Sequence, residues 1–263
     1  MSNQQEQYED YISTVPPDQT VAIIIPLYGY WKDVTAPELN LDVLKYVLSR
    51  IKSYHNKTYF LFPCETQRLS PEIKNYLLGL QLGGNALGVD VEQYSTYSDY
   101  INEGILFALE ETDSQVLLII NPWIAVKPGS IDKMIQTLNR PDVAICSGFD
   151  LRKDGVTDDE ADTYVYNPPQ DLVGLDLNFV GMKRQVAEMI KIDTTYKTPS
   201  FLSRDFFEEA ARAHIPALLT QHLLFYSFEV SWSELEDPGD FDYDHSRFLE
   251  KWRFEPEIKE DER

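Results

Sequence analysis

Two hydrophobic patterns alternate along this chain. Short unbroken apolar runs occupy residues 21–25, 59–62, 116–120 and 143–146, the last extended by Ser147, and Val89-Asp90-Val91 reads as a shorter strand. Between them, apolar residues recur at helical spacing: Leu41, Leu44, Leu48 and Ile51, then Ile73, Tyr76, Leu77 and Leu80. Ile101, Ile105 and Leu109 follow, then Ile131, Met134, Ile135 and Leu138. Runs of this length, flanked by amphipathic helices, predict parallel strands buried on both faces. Pro26 ends the first run, and Pro63 closes the second. Ser70-Pro71 reads as a helix start, Gly83-Gly84-Asn85 as a helix end, and Ser98 and Ser130 as N-caps. Beyond residue 150 the pattern predicts a strand over 172–180 and a short helix over 183–190. A helix opening at Ser203 and running to about 213, then a closing strand over 217–228, complete it. Strands alternating with helices give an α/β fold with a mostly parallel central sheet flanked by helices and joined by right-handed crossovers.

The unit at 97–138, helix–strand–helix, organises the rest. In open α/β sheets ligands bind at the carboxyl ends of strands. The turn Asn121-Pro122-Trp123, directly after the run at 116–120, is therefore the expected site.

Composition narrows the function classes. The formal net charge is -21, which disfavours binding to nucleic acid or to an anionic membrane surface. No apolar run is long enough to span a membrane. The first residues are polar and acidic, without a signal-peptide pattern, so a cytoplasmic protein is expected. Cys64 and Cys146 read as buried reduced thiols. His55, His214, His222 and His245 lack metal-ligand spacing, and no Ser/His/Asp arrangement stands out. The acidic segment 153–162 lacks the spacing of a calcium loop. Residues 1–19 are expected to be a mobile arm and 20–232 the folded domain, with a donor half about 20–150 and an acceptor half about 171–232. Residues 233–263 are expected to form an acidic extension.

Several pieces, in order, resemble the nucleotide-sugar glycosyltransferases of the GT-A fold, in particular inverting family 2. Residues 21–29, ending Pro26-Leu27-Tyr28-Gly29, are similar to that family's opening strand, which ends Pro-x-Tyr-Asn. Asn102-Glu103-Gly104-Ile105 resembles its Asn-x-Gly helix. Residues 117–128 have the register of its hydrophobic strand, Asp-x-Asp turn and later Pro. Ile190-Lys191-Ile192-Asp193 resembles a turn of its acceptor half, and Phe248-x-x-Lys251-Trp252 its Lys-Trp ending. The resemblance spans about residues 21–252. It implies transfer of a sugar from a nucleotide-sugar donor to an unknown acceptor glycan or protein, with inversion at the anomeric carbon.

The departures fall on the chemistry. In the family the Asp-x-Asp turn holds a divalent cation on the donor phosphates, and hard cations want oxygen ligands. Here Asn121 and Trp123 stand in those two places, and an indole offers only an N–H. No metal or other cofactor is therefore expected. Pro63 and Cys64, with Glu65 next, stand where the family reads the nucleobase with aspartates, and Gly29 replaces its Asn. The resemblance makes Pro26, Tyr28, Glu65, Asn102, Asn121 and Trp123 the nucleotide-sugar-binding candidates. Trp123 either stacks on a sugar or base or plugs the vacated metal corner. Asp205 is closest to the general base of the inverting reaction, or else is a carboxylate set against a helix dipole. Without metal, the leaving diphosphate needs cationic side chains, with Lys127, Arg204, Arg247, Lys251 and Arg253 as candidates. The alternative is an inactive GT-A-like module with a binding or assembly role, including an oligomer or an assembly partner.

Overall fold

The structure, a computed structural model, describes residues 19–30, 40–51, 57–82, 84, 86–92, 96–150, 177–227 and 238–252. The expected arm at 1–18, the acidic segment 153–162, residues 172–176 and Arg253 lie outside the described residues.

In chain order the elements are β1 (Thr20–Ile24), α1 (Leu41–Arg50), β2 (Lys57–Cys64), α2 (Pro71–Leu82), β3 (Ala86–Asp90), α3 (Tyr97–Glu111) and β4 (Val116–Ile120). Then come β5 (Ile124–Val126), α4 (Ser130–Leu138), β6 (Ile145–Asp150), β7 (Phe179–Lys183), α5 (Arg184–Met189), α6 (Pro199–Arg212), β8 (Ala217–Ser227) and α7 (Pro238–Trp252). One sheet holds the strands in the order β3-β2-β1-β4-β7-β6-β8-β5. The β3-β2-β1-β4 half is wholly parallel. β7 runs antiparallel between β4 and β6, β8 is parallel to β6, and β5 closes the edge antiparallel to β8. From β1 the chain builds outward to β2 and β3, then returns to lay β4 on the other side of β1. That reversal is a topological switch point, and the crevice outside the carboxyl ends of β1 and β4 is where such sheets take ligands.

Helices cover both faces. Ile23 pairs in register with Phe60 and with Leu118. On that face α1 and α2 lie over Phe60 and Phe62, and α4 lies over Leu118. On the opposite face, carrying Ile24, α3 comes so close that a Cβ on Gly104 would lie 2.5 Å from Ile24 Cγ2 and 2.8 Å from Pro63 Cγ. Burial from both sides explains why β1 and β4 read as continuous apolar runs: every residue from Val21 to Ile25 and from Leu117 to Ile120 is fully buried.

Several expected boundaries move. Pro63 lies inside β2 rather than closing it, since its carbonyl accepts from Leu27 N at 2.8 Å. Ser98 is not the cap of α3. Thr96 is, through a capping box in which Thr96 N donates to Asp99 Oδ2 at 2.6 Å. Ser98 is buried in the first turn and donates to Tyr196 O at 3.0 Å. Ser130 is the first helical residue of α4. Gly129 precedes it at φ 81°, a left-handed conformation that favours glycine. The helix expected to open at Ser203 opens at Pro199, and Ser203 instead accepts Leu177 N at 3.2 Å. Asp205 therefore sits in the second turn of α6, where the helix dipole does not account for it. The strand expected over 172–180 is β7, displaced toward the carboxyl end, and β5 has no counterpart in the hydrophobic pattern. The acidic stretch after 233 contributes α7, which packs on α6.

Candidate functional site

Strand pairing continues past the formal end of β1. Ile25 N donates to Leu61 O at 2.9 Å and Leu27 N to Pro63 O at 2.8 Å. Pro26, which has no N–H, falls between these two bonds and is buried. Gly29, at φ 84°, turns the chain back. Tyr28 and Tyr30 are thereby buried beyond the strand ends. The Tyr30 hydroxyl reaches Pro122 O at 3.4 Å, a long contact joining the β1 exit to the β4 exit. Burial pushes its ionisation well above the usual tyrosine range, so it stays a neutral donor.

Buried rings pack together beyond these strand ends. Tyr28 sits edge-on to Tyr97 (centroids 5.9 Å) and to Tyr100 (5.3 Å), and Tyr97 stacks on Trp123 at 6.5 Å. The Tyr100 hydroxyl donates to Glu65 Oε1 at 3.0 Å, and Glu65 Oε2 pairs with Arg68 at 3.1 Å. The fold thus gathers Pro26, Tyr28, Glu65, Asn121 and Trp123 at the carboxyl ends of β1, β2 and β4 through two tyrosines that the sequence pattern did not single out. Tyr97 and Tyr100 are three apart at the start of α3, a spacing that puts both on one helix face. That spacing was the available signal.

Asn121 is engaged on every side. Its backbone N donates to Asn178 O at 2.8 Å, its Nδ2 to Asn178 Oδ1 at 2.7 Å, and its Oδ1 accepts Trp123 N at 2.9 Å. This Asx turn fixes the exit of β4, the place that the sequence resemblance aligns with the Asp-x-Asp turn. The amide oxygen is bonded within the chain, and Trp123, 3% exposed, brings no oxygen. Among the described residues, no three His, Cys, Asp or Glu side chains form a group able to hold a metal ion. This donor set does not fit a hard divalent cation.

Asn102 and Asp205 lie outside the aromatic group. Asn102 Nδ2 donates to Ile192 O at 2.7 Å, tying α3 to the turn that ends in Asp193. Asp205, 1% exposed, accepts the Trp252 indole N–H at 2.8 Å and the Lys251 ammonium at 2.9 Å. Lys251 also reaches Glu209 at 3.0 Å and Asp193 at 3.3 Å, and Arg247 approaches Asp193 at 3.5 Å. Burial raises the Asp205 carboxyl above the usual range, against the Lys251 and Trp252 hydrogen bonds that lower it. Burial also disfavours the Lys251 charge, but Asp205 and Glu209 outweigh it and hold the ammonium above its ordinary value. Burial lifts the Tyr196 hydroxyl too, reinforced by the facing Asp205 carboxylate. Of the other cations, Arg204 lies over the Phe201 ring, 5.7 Å from its centroid. Two neighbouring α3 residues connect the groups: Tyr97 faces Tyr28 and Trp123, while Ser98 bonds to Tyr196.

The sequence matches no protein-family model and no curated protein. Solved structures do align. Glucosyl-3-phosphoglycerate synthase from Mycobacterium tuberculosis, in complex with phosphoglyceric acid, superposes with a TM-score of 0.55 at 10% identity, covering 96% of this chain and 85% of that one. The same synthase has been solved with Mg²⁺ and UDP. TarS from S. aureus gives 0.55 at 9% identity over 93% of this chain and 41% of its own. The inositol-1-phosphate CTP transferase from T. maritima gives 0.53 at 12% identity over 88% and 97%. At such identities the likeness establishes the fold.

Proposed function

We propose that this chain, which carries the GT-A-type fold of nucleotide-sugar transferases, transfers a sugar from a nucleotide-sugar donor to an acceptor hydroxyl with inversion. Asp205 acts as general base, and no divalent cation is held at the β4 corner. The observation that carries this reading is the buried Asp205 carboxylate, raised in pKa and aligned by Lys251 and Trp252 beside the turn at Asp193. A carboxylate shifted upward by burial is a stronger base than an exposed one. It takes the acceptor proton as the acceptor oxygen forms its bond to the anomeric carbon. The bond from that carbon to the donor phosphate oxygen breaks on the opposite side, and its electrons leave with the diphosphate. Lys251 on Asp205, and Arg247 on the neighbouring Asp193, offset negative charge there. Pro26, Tyr28, Glu65, Asn121 and Trp123 form the donor side, with Tyr28 and Trp123 offering rings to a base or sugar, and Asn102 braces it against the acceptor half. In this reading the donor half is about 20–150 and the acceptor half about 171–232, with 233–263 an extension whose helix completes the Asp205 environment.

The alternative is the same scaffold used for binding or assembly without transfer. Thermal shift with UDP, GDP and their sugars separates the two, because a donor that binds the folded state raises its melting temperature by mass action. A shift independent of Mn²⁺ and Mg²⁺ supports the transferase. A shift that requires metal overturns the reading of the corner, and no shift with any nucleotide favours the binding module. Asp205→Asn should abolish transfer while the nucleotide shift persists. Retained turnover removes Asp205 from the role.

A further inference from the structure

Away from this aromatic cluster, on the sheet face opposite α3, lies a cavity of about 320 Å³ between α1 and α2. Its origin is in the strands. β2 directs Phe60 and Phe62 to this face, and their register partners on β3 are Ala86 and Gly88. On the β3 side the two large rings thus have only a methyl and a hydrogen beside them. Leu48 and Leu80 form the walls, leaving a space of the size that small-molecule sites use.

Polar groups in the lining are few. Ser49 Oγ already donates to Tyr46 O at 2.6 Å. Lys45 is the charged residue of the lining; its ammonium sits 5.7 Å from the Tyr76 ring centroid. Its ion pair with Asp42 is long, 3.7 Å, and that carboxylate is 92% exposed, so solvent screens it. Burial raises the Tyr76 hydroxyl above its ordinary value, which keeps it a neutral donor. A cation and a hydroxyl at the edge of an aromatic cavity select for an anionic head on an apolar body, with Lys45 supplying the local positive charge against the chain's net -21.

We propose that this cavity binds a small apolar carboxylate, its tail on Phe60, Phe62, Leu48 and Leu80 and its carboxylate at Lys45. The proposal is independent of the transferase reading: a chain with no transfer activity still binds the acid. Straight-chain and aromatic acids share this chemistry, so the probes are decanoate and 1-naphthoate, titrated calorimetrically into the full chain, with decanol as the uncharged control. At least one acid should bind saturably with one site per chain. Ala86→Phe and Leu80→Trp, which fill the space, should each abolish binding, with circular-dichroism melting confirming that the variant is folded. If Ala86→Phe does not fold, Leu80→Trp decides. Lys45→Gln should weaken the acid about tenfold and leave decanol unchanged. The proposal is overturned if neither acid saturates, if a folded cavity-filling variant binds as the parent does, or if decanol binds the parent as tightly as decanoate.

Discussion

Asp244, in the middle of α7, caps a helix it does not belong to. It is fully buried and accepts hydrogen bonds from Thr198 N at 2.7 Å and Thr198 Oγ1 at 2.8 Å, with Lys197 N adding a third at 2.9 Å. Thr198 is the N-cap residue of α6, yet its side chain does not cap the helix. The first turn of α6 is therefore secured from α7, and with it the placement of Asp205.

Removing this cap should be costly. Asp244→Ala leaves buried donors without an acceptor and is expected to destabilise the protein by about 3 kcal/mol, the scale of lost hydrogen bonds to a charged group. Denaturant unfolding measures it. A loss well under 1 kcal/mol would show that water replaces the carboxylate.

Gly104→Ala tests the close approach of α3 to the sheet. The added methyl meets Ile24 and Pro63 well inside contact distance, so overpacking of about 1–3 kcal/mol should outweigh alanine's better helix propensity. Adding Ile24→Ala should give a double variant less destabilised than the sum of the two single changes. Simple additivity would refute the steric account.

Arg184 closes the other end of α3. Its guanidinium donates to the carbonyls of Leu109, Thr112 and Ser114, the first two in the final turn of α3 and its cap. Arg184→Met should cost about 2 kcal/mol, because these acceptors lose a charged donor. Amide hydrogen exchange in the last turn of α3 should rise more than at its Thr96-capped start. Uniform change along the helix would mean that the guanidinium is not acting as a cap.

The pH dependence follows from Asp205. Burial raises its carboxyl in the folded state, so the folded protein holds that proton more tightly than the unfolded chain does. On this account stability is greatest below the unfolded value near 4 and falls as pH rises through the window up to the raised folded value. Asp205→Asn removes the dependence. The stability of the parent relative to this variant should decline between about pH 4 and the raised pKa, as followed by urea midpoints. A difference that does not change with pH would contradict the shift.

The turn after β4 shows what the sequence carried and what it did not. The run at 116–120 and its exit at Asn121 were legible because a strand buried on both faces must be apolar throughout. That an amide and an indole, and no carboxylate, stand at this exit was equally visible in the residue types. That Asn121 spends its amide on Asn178, 57 positions away, was not, because β7 comes beside β4 only when the sheet assembles. The start of α6 was misplaced for a related reason. Ser203 has the look of a cap, but the acceptor that caps the helix comes from α7, and local sequence carries no trace of it.

By itself the sequence determined the order and type of most elements, the α/β class and the position of the crevice-forming turns, since these follow from local periodicity and from backbone punctuation by proline and glycine. Tertiary structure alone decided the partners. It set Tyr97 between Tyr28 and Trp123, placed Lys251 on Asp205, and opened a cavity beside Phe60 where β3 offers only Ala86 and Gly88. Those outcomes depend on strand order and register, which bring distant residues within contact range and which no local pattern of apolar and polar positions encodes.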